Sequence, residues 1–277
     1  MIKAIQIQHD DSMERMFKCA AEAGFRYVSL GFGSTKAFHK DDWKEVAPYI
    51  KSRLEENGLI CVQTHLPYYD LRISSEILDE EMEEAIKRCI IASAELGAKV
   101  CVYHPRSSVA KDYSAKASLA DNVKVITEYN KVAKKAGIGI ALENLPIFPD
   151  IQHMRFYTYD YEDLCELVDA FEDDNISVCW DFGHAHLTRF DHAQGLRYVG
   201  KRLSCTHIHN NNRWDDDHNV PSVGSINWKE LMPVLTEIGY EGPLTLEVVY
   251  KNDPTLESFT NHCYSCVKYL ESLMTEE

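Results

Sequence analysis

No stretch of this chain approaches the ~20 consecutive apolar residues that a membrane-spanning helix needs, and no run of lysine and arginine occurs anywhere in it. The first lack argues against a membrane protein. The second, with 29 basic against 44 acidic residues and a net charge of −15, argues against a partner made of phosphate backbone. The N-terminus enters an alternating strand-like pattern at once, without the basic segment, apolar block and small-residue cleavage site of an export signal. Nine cysteines are scattered without a disulfide frame, and the lone CxxC of Cys263 and Cys266 has no second pair to complete a zinc set, so plain packing is expected there. These absences point to a soluble cytoplasmic protein with reduced thiols. A low-complexity linker is also missing, so residues 1–277 read as one domain, close to the roughly 250 residues of an eight-fold β/α barrel.

What is present is an alternation of short strand-like runs with longer amphipathic segments, eight times over. The strand candidates are "KAIQIQ" (3–8), "YVSLGFG" (27–33), "CVQTHLP" (61–67), "KVCVYHP" (99–105), "GIALENL" (139–145), "ISVCWDFGH" (176–184), "LSCTHIHNN" (203–211) and "PLTLEVVY" (243–250). Gly24, Gly58, Gly97, Gly137 and Gly239 precede the next strand where a helix C-cap belongs. Strand, helix, glycine, strand is the βα unit, whose helix returns the chain and so makes the strands parallel. Eight units close a (β/α)8 TIM barrel of class α/β. The unit after the fifth strand carries a long insertion, "PIFPDIQHMRFYTYD", expected to cover part of one mouth.

Side chains alternate along a strand, so one parity faces the lumen and the other packs under the helices. That parity turns Glu143, Asp181 and Glu247 inward, together with His65, His104, His207 and His209, each toward the C-terminal end of its strand, where barrel active sites form. Any one of these has a plain structural reading, such as a carboxylate paired with Arg or Lys. Their joint occurrence on six strands at matching depth does not, because unpaired buried charges cost several kcal/mol each. A divalent cation is the simplest compensation. Phe32, Tyr68, Tyr69, Phe148 and Tyr157 lie on strand ends or loops where a sugar face could stack, Tyr68 and Tyr69 closest to His65.

"ALEN" with Glu143, "WDFGH" with Asp181 and His184, "HIHNNN" with His209, "DDDHNVPSVGSINW" with Asp216 and His218, and "LTLEVVY" with Glu247 together resemble the xylose isomerase-like TIM barrel superfamily of sugar-phosphate isomerases and epimerases, which also holds the endonuclease IV type of nuclease. The resemblance implies one divalent ion, Mn²⁺, Mg²⁺, Co²⁺ or Zn²⁺, held by Glu143, Asp181, His209 and Glu247. It implies a small sugar or polyol substrate contacted by His184, with Arg213 and Tyr68 as further contacts, and often a homo-oligomer. Glu143 and Glu247 would transfer the proton next to a carbonyl through an enediolate, giving an isomerase or epimerase, or an inosose-type dehydratase if hydroxide leaves. His186 has no assigned role in this scheme.

The sequence departs from the epimerases in two places. The substrate-binding Glu expected soon after the strand-five ligand is replaced by "NLPIFPD", and Arg213 arrives early. The rival reading is a three-zinc nuclease acting on abasic DNA, for which His65, His104, Glu143, Asp181, His184, His209, Asp216, His218 and Glu247 supply every ligand. The −15 charge and the short loop between His209 and Asp216 favour the sugar enzyme, without nucleic acid or membrane as partners.

Overall fold

Eight strands form one parallel sheet: β1 (Lys3–Gln8), β2 (Tyr27–Gly31), β3 (Ile60–His65), β4 (Val100–Tyr103), β5 (Gly139–Glu143), β6 (Ile176–Asp181), β7 (Leu203–His207) and β8 (Leu244–Leu246). This computed structural model describes the chain except for residues 34–35, 68–79, 108–113, 148–155, 173, 189, 252–254 and 276–277. The strand order runs from β7 down to β1 and then to β8. The last seam closes where Ile208 bridges Leu246 in parallel, with Ile208 N–H donating to Thr245 O at 2.8 Å and Glu247 N–H to Ile208 O at 3.0 Å. The ring is therefore a barrel, as the eight-fold alternation requires.

The helices α1 (Met13–Ala23), α2 (Val46–Glu56), α3 (Glu80–Glu95), α4 (Ala115–Ala136), α5 (Tyr161–Asp169), α6 (Phe182–Thr188), α7 (His192–Val199), α8 (Trp228–Glu237) and α9 (Leu256–Leu273) surround it. The five glycines expected as C-caps all take left-handed backbone, with φ between 63° and 110°. At Gly24 and Gly137 the cap N–H returns to a carbonyl of α1 or α4, satisfying acceptors that the helix end leaves open. Cys263 and Cys266 are buried on α9 as free thiols, Cys263 within the core, so the CxxC is packing. Lys3 Nζ meets Glu271 at 2.8 Å and the N-terminal amine meets it at 2.5 Å, tying the start of β1 to the last helix. Among the described residues no helix is long and apolar enough to cross a membrane.

Parity divides the core in two, as alternation demands. Ile140, Leu142, Val178, Trp180, Leu244 and Leu246 join the large cluster between strands and helices. Val100, Val102, Ala141, Cys179 and Cys205 form a separate apolar cluster from the inward parity of β4 to β7, the lower filling of the lumen. One step up each strand the inward side chains become polar. Register pairs Asp181 with His207 but Glu143 with Cys179, the stagger of tilted barrel strands, and the polar groups still meet, Glu143 Oε1 lying 3.2 Å from His207 Nδ1.

Candidate metal centre

Glu143 ends β5 with no exposed surface. Its Oε2 lies 3.1 Å from His104 Nε2 and 3.3 Å from His65 Nε2, and its Oε1 lies 3.2 Å from His207 Nδ1 and 3.3 Å from His184 Nδ1. Both oxygens of one carboxylate thus face two imidazoles each. Burial alone would raise the Glu143 pKa, but His207 and His104 outweigh it and hold the acid well below the usual carboxylate range.

Three histidines share one orientation. His65 Nδ1 lies 2.7 Å from Leu66 O, His184 Nδ1 2.9 Å from Asn144 O, and His218 Nδ1 2.9 Å from Glu247 O. A carbonyl can only accept, so in each ring Nδ1 carries a proton and Nε2 points into the site. Metal-bound histidines are held in this way. His65 Nε2 faces His104 Nε2 (3.0 Å), and His184 and His218 each donate an Nε2 proton to Asp216 Oδ2 at 3.2 Å, at the atoms a cation would take over.

Ligand atoms collect into five overlapping groups, each within 4.8 Å; three of them, His65, His104 and Glu143, then Glu143, Asp181, His207 and Glu247, then His184, His209, Asp216 and His218, together take in every candidate ligand, and His207 also joins His65 with Glu247 and Glu143 with Cys179. The structure brings together every carboxylate and histidine expected as a ligand from the sequence, but it sorts the two strand-seven histidines differently. His207, expected only to face inward, joins the three carboxylates, while His209 sits with the third group. The hydrogen bonds distinguish their chemistry. His207 Nε2 lies 2.8 Å from the Gln63 amide nitrogen, whose own oxygen accepts from Thr245 Oγ1 at 3.0 Å. His207 Nε2 thus faces the Gln63 amide, and its Nδ1–H is directed at Glu143 and, 3.1 Å away, Glu247 Oε2. Neither ring nitrogen of His209 has a hydrogen-bond partner among the described residues, and its Nε2 is 3.1 Å from Asp181 Oδ1.

The donors fit a divalent cation on a direct observation. Glu143 Oε1, Asp181 Oδ2, His207 Nδ1, both nitrogens of His209 and Asp216 Oδ1 are buried with no hydrogen-bond partner among the described residues. Orphans of this kind are costly singly and converge here. Three carboxylates with one imidazole suit Mn²⁺, Mg²⁺ or Co²⁺, and the two histidine-rich groups suit Zn²⁺.

Amide side chains hold the frame, and these were not singled out from the sequence. Asn144 Nδ2 donates to Asp181 O at 2.8 Å and Asn144 Oδ1 accepts from Asp181 N–H at 2.7 Å, extending the β5–β6 pairing past its last ladder bond. Asp181 Oδ1 in turn accepts from His184 N–H at 2.7 Å, capping the first turn of α6. Gln6 Nε2 donates to Glu247 Oε1 at 2.5 Å and receives Ser29 Oγ–H at 3.1 Å on its oxygen. Inward parity on β1 and β3 was the available signal for Gln6 and Gln63. Gly183 is required for space, since a Cβ there would overlap the His209 ring.

The remaining candidates fall outside this cluster. Tyr68, Tyr69 and Phe148 lie outside the described residues. Phe32 (1% exposed) and Tyr157 (0%) are core residues packed under the helices, so neither offers a face to a sugar. The insertion returns to the site through Thr158, whose hydroxyl donates to Glu143 O at 2.9 Å. Arg213 donates through Nε to His186 Nε2 at 3.4 Å, and His186 Nε2 lies 2.7 Å from Ser225 Oγ. Among the described residues, the non-glycine residues with left-handed backbone are Thr158 (φ 70°), Arg213 (φ 68°) and His218 (φ 47°), all on segments bordering the polar layer, where strain commonly gathers.

Comparison with known proteins agrees with this architecture. An uncharacterized protein of Methanocaldococcus jannaschii is 30% identical over 200 residues, covering 70% of this chain and 66% of its own length. The next two curated relatives are matched over 65% and 33% of their lengths, so the chain spans less than two thirds of these proteins. Fructoselysine 3-epimerase of Shigella flexneri is 25% identical over 260 residues, 88% of each chain. Among solved structures, a D-tagatose 3-epimerase-like protein superposes with a TM-score of 0.77 over 99% of this chain and 98% of its own, at 22% identity. An AP endonuclease, family 2, from Brucella melitensis superposes at 0.72 over 98% and 99%, at 18% identity. Residues 17–261 match the family described as xylose isomerase-like TIM barrel, and the chain belongs to that family.

Proposed function

We propose that this protein is a divalent-metal-dependent isomerase or epimerase of a small sugar or polyol. The observation that carries the reading is the convergence of the Glu143, Asp181 and Glu247 carboxylates at the C-terminal mouth of the barrel, with the unpartnered His209 Nε2 3.1 Å from Asp181 Oδ1. Relatives named D-psicose 3-epimerase, fructoselysine 3-epimerase and inosose isomerase support the substrate class, and the net charge of −15 opposes a polyanion. Nine free buried cysteines support a cytoplasmic setting.

Glu143, Asp181, Glu247 and His209 would hold the ion. His207 supplies a proton donor to the same carboxylates from below. When bound, the ion polarises the carbonyl beside the carbon that loses its proton and stabilises the charge that develops. Glu247 is the base: its side chain is 14% exposed against 0% for Glu143, and Gln6 on Oε1 with His207 on Oε2 fixes the orientation of its carboxylate. For inversion Glu247 keeps the proton it removes and Glu143, reaching in from β5, delivers a different one to the opposite face, taken from the adjoining His207 or His104; return by Glu247 to a neighbouring carbon gives isomerisation instead.

One observation favours a second reading. Glu143 is common to the group with His65 and His104 and to the group with Asp181, His207 and Glu247, and His184, His209, Asp216 and His218 form a separate one, a ligand set suited to three zinc ions and hydrolysis of a phosphoester such as abasic DNA. Elemental analysis with activity assays decides between them. The sugar reading predicts about one Mn²⁺-type ion per chain and exchange of the α-proton of a ketose or inosose into deuterated water. Glu247→Gln should lower that exchange by roughly 10³-fold or more while retaining ligand binding. Three zincs per chain with cleavage of an abasic duplex, or unchanged exchange in the Gln variant, would overturn it.

A further inference from the structure

The stagger of the barrel brings a thiol level with a carboxylate. Strands β5 and β6 pair Glu143 with Cys179, and β6 and β7 pair Cys179 with Cys205, so these side chains run along one level of the lumen across adjacent strands. All are fully buried. His207 stands one inward step above Cys205 on β7. Cys179 Sγ, an oxygen of Glu143 and a ring nitrogen of His207 lie within 4.8 Å of one another, a spacing that one cation with bonds of about 2.0 to 2.3 Å can bridge after small side-chain shifts. None of the roles derived above uses the thiol.

Two features separate this trio from plain packing. Glu143 Oε1 and His207 Nδ1 are buried 3.2 Å apart, and neither has a hydrogen-bond partner among the described residues, so an oxygen and a ring nitrogen stand open beside the thiol. The second feature is softness. Glu143, Asp181 and Glu247 offer oxygen to a hard ion, whereas Cys179 and His207 add sulfur and nitrogen, which thiophilic cations prefer. Without a cation the thiol stays protonated, because burial, contact with Cys205 and the nearby carboxylates raise its pKa, and it packs as a small apolar group. A thiophilic cation ionises such a thiol outright, and the proton leaves to solvent. Gln63 suits His207 to the same task. Its amide faces His207 Nε2 at 2.8 Å and the Thr245 hydroxyl at 3.0 Å. Turned over, the amide oxygen accepts from Nε2–H and the amide nitrogen donates to Thr245, which frees the Nδ1 lone pair for a metal.

We infer that Cys179, His207 and Glu143 form a deeper metal site, selective for thiophilic cations such as Cd²⁺ and Zn²⁺, one level below the ion proposed between the carboxylates. Because Glu143 serves both levels, a soft cation draws it down and weakens the hold on a hard one. The test titrates Cd²⁺ into the metal-free full chain and follows the sulfur-to-cadmium charge-transfer absorbance in the ultraviolet. The band should rise with a tight-binding phase of about one Cd²⁺ per chain. Cys179→Ser should abolish that phase and weaken Cd²⁺ binding by roughly tenfold or more, while Cys205→Ser, beside the trio but outside it, keeps both. A core substitution can disturb folding, so the unaltered protein supplies a second measurement: crystals soaked in Cd²⁺ should show an anomalous peak within bonding reach of Cys179 Sγ. Bound Cd²⁺ should also weaken Mn²⁺ binding by roughly tenfold or more. The cadmium measurements use no turnover assay, so they stand or fall apart from the sugar reading. Absence of the band, a band of unchanged size and affinity in Cys179→Ser, or a cadmium peak away from Cys179 in the unaltered protein overturns the inference.

Discussion

The lower and upper layers of this lumen are built by the same strands and differ by a single inward step. Ala141 becomes Glu143 on β5, Cys179 becomes Asp181 on β6, and Cys205 becomes His207 on β7. Below, the small apolar side chains close the barrel with no polar atom needing a partner beyond weakly bonding thiols. Above, carboxylates and imidazoles face one another with several atoms left without hydrogen bonds. Two residues of chain therefore separate a layer that serves stability from one that holds charge at a cost. Such a layer persists because the apolar layer beneath and the amide clamps around it fix the side chains before any ligand arrives.

The largest break in this contrast comes from altering the frame of the upper layer without touching its charges. Gly183→Ala should push the His209 ring aside and weaken metal binding by roughly 10- to 100-fold, with turnover falling in step, as measured by metal titration of the purified variant. An unchanged metal affinity would show that His209 takes no part. Val102→Ala, a fully buried member of the lower layer, should do the reverse. Its unfolding free energy should fall by on the order of 2 kcal/mol in denaturant titrations, with metal content and turnover per folded molecule kept.

Charge supplies a smaller and sharper difference, visible in the metal-free protein. Burial works against protonated His207 and His218, but Glu247 and Glu143 for the first, and Asp216 for the second, hold both pKa values up at about 10. A raised folded-state value gives stability that is complete below the ordinary imidazole pKa of 6.5 and is lost as the pH climbs toward about 10. His192, packed against His186 and outside the polar layer, has the opposite sign. Burial presses its pKa down to about 3, so its contribution is present above 6.5 and lost as the pH falls toward that value. Thermal midpoints of the metal-free protein should decline on the alkaline side of pH 6.5. Added Mn²⁺, by neutralising the Glu143 and Glu247 carboxylates that hold the His207 value up, should flatten that decline.

Much of this was legible in the chain because period and punctuation are local. Eight strands, five glycine caps and the inward parity of Glu143, Asp181 and His65 follow from alternation alone. What did not follow depends on contacts between distant segments. His207 and His209 have the same parity, and only contacts between distant segments, Gln63 from β3 on His207 and Asp181 from β6 on His209, show which group each ring joins. Phe32 and Tyr157 were legible as aromatic residues near strand ends, but whether a ring faces the mouth or the helices depends on how a loop turns, and both turn into the core. The loop after His209 reads as polar and irregular. In the fold Asn210 and Asn211 are its internal staples, Asn210 bonding Pro221 O at 2.8 Å and pairing backbone to backbone with Asn219, which carries Asp216 and His218 back over the barrel.

The most direct test is anomalous X-ray scattering from crystals of the Mn²⁺-loaded protein, collected on both sides of the manganese edge. The account predicts a peak bounded by Glu143, Asp181, Glu247 and His209, with His207 Nδ1 beside the carboxylates and outside the coordination sphere. Glu143, Asp181 and Glu247 joined only to protonated imidazoles, with no anomalous peak among them, would contradict it.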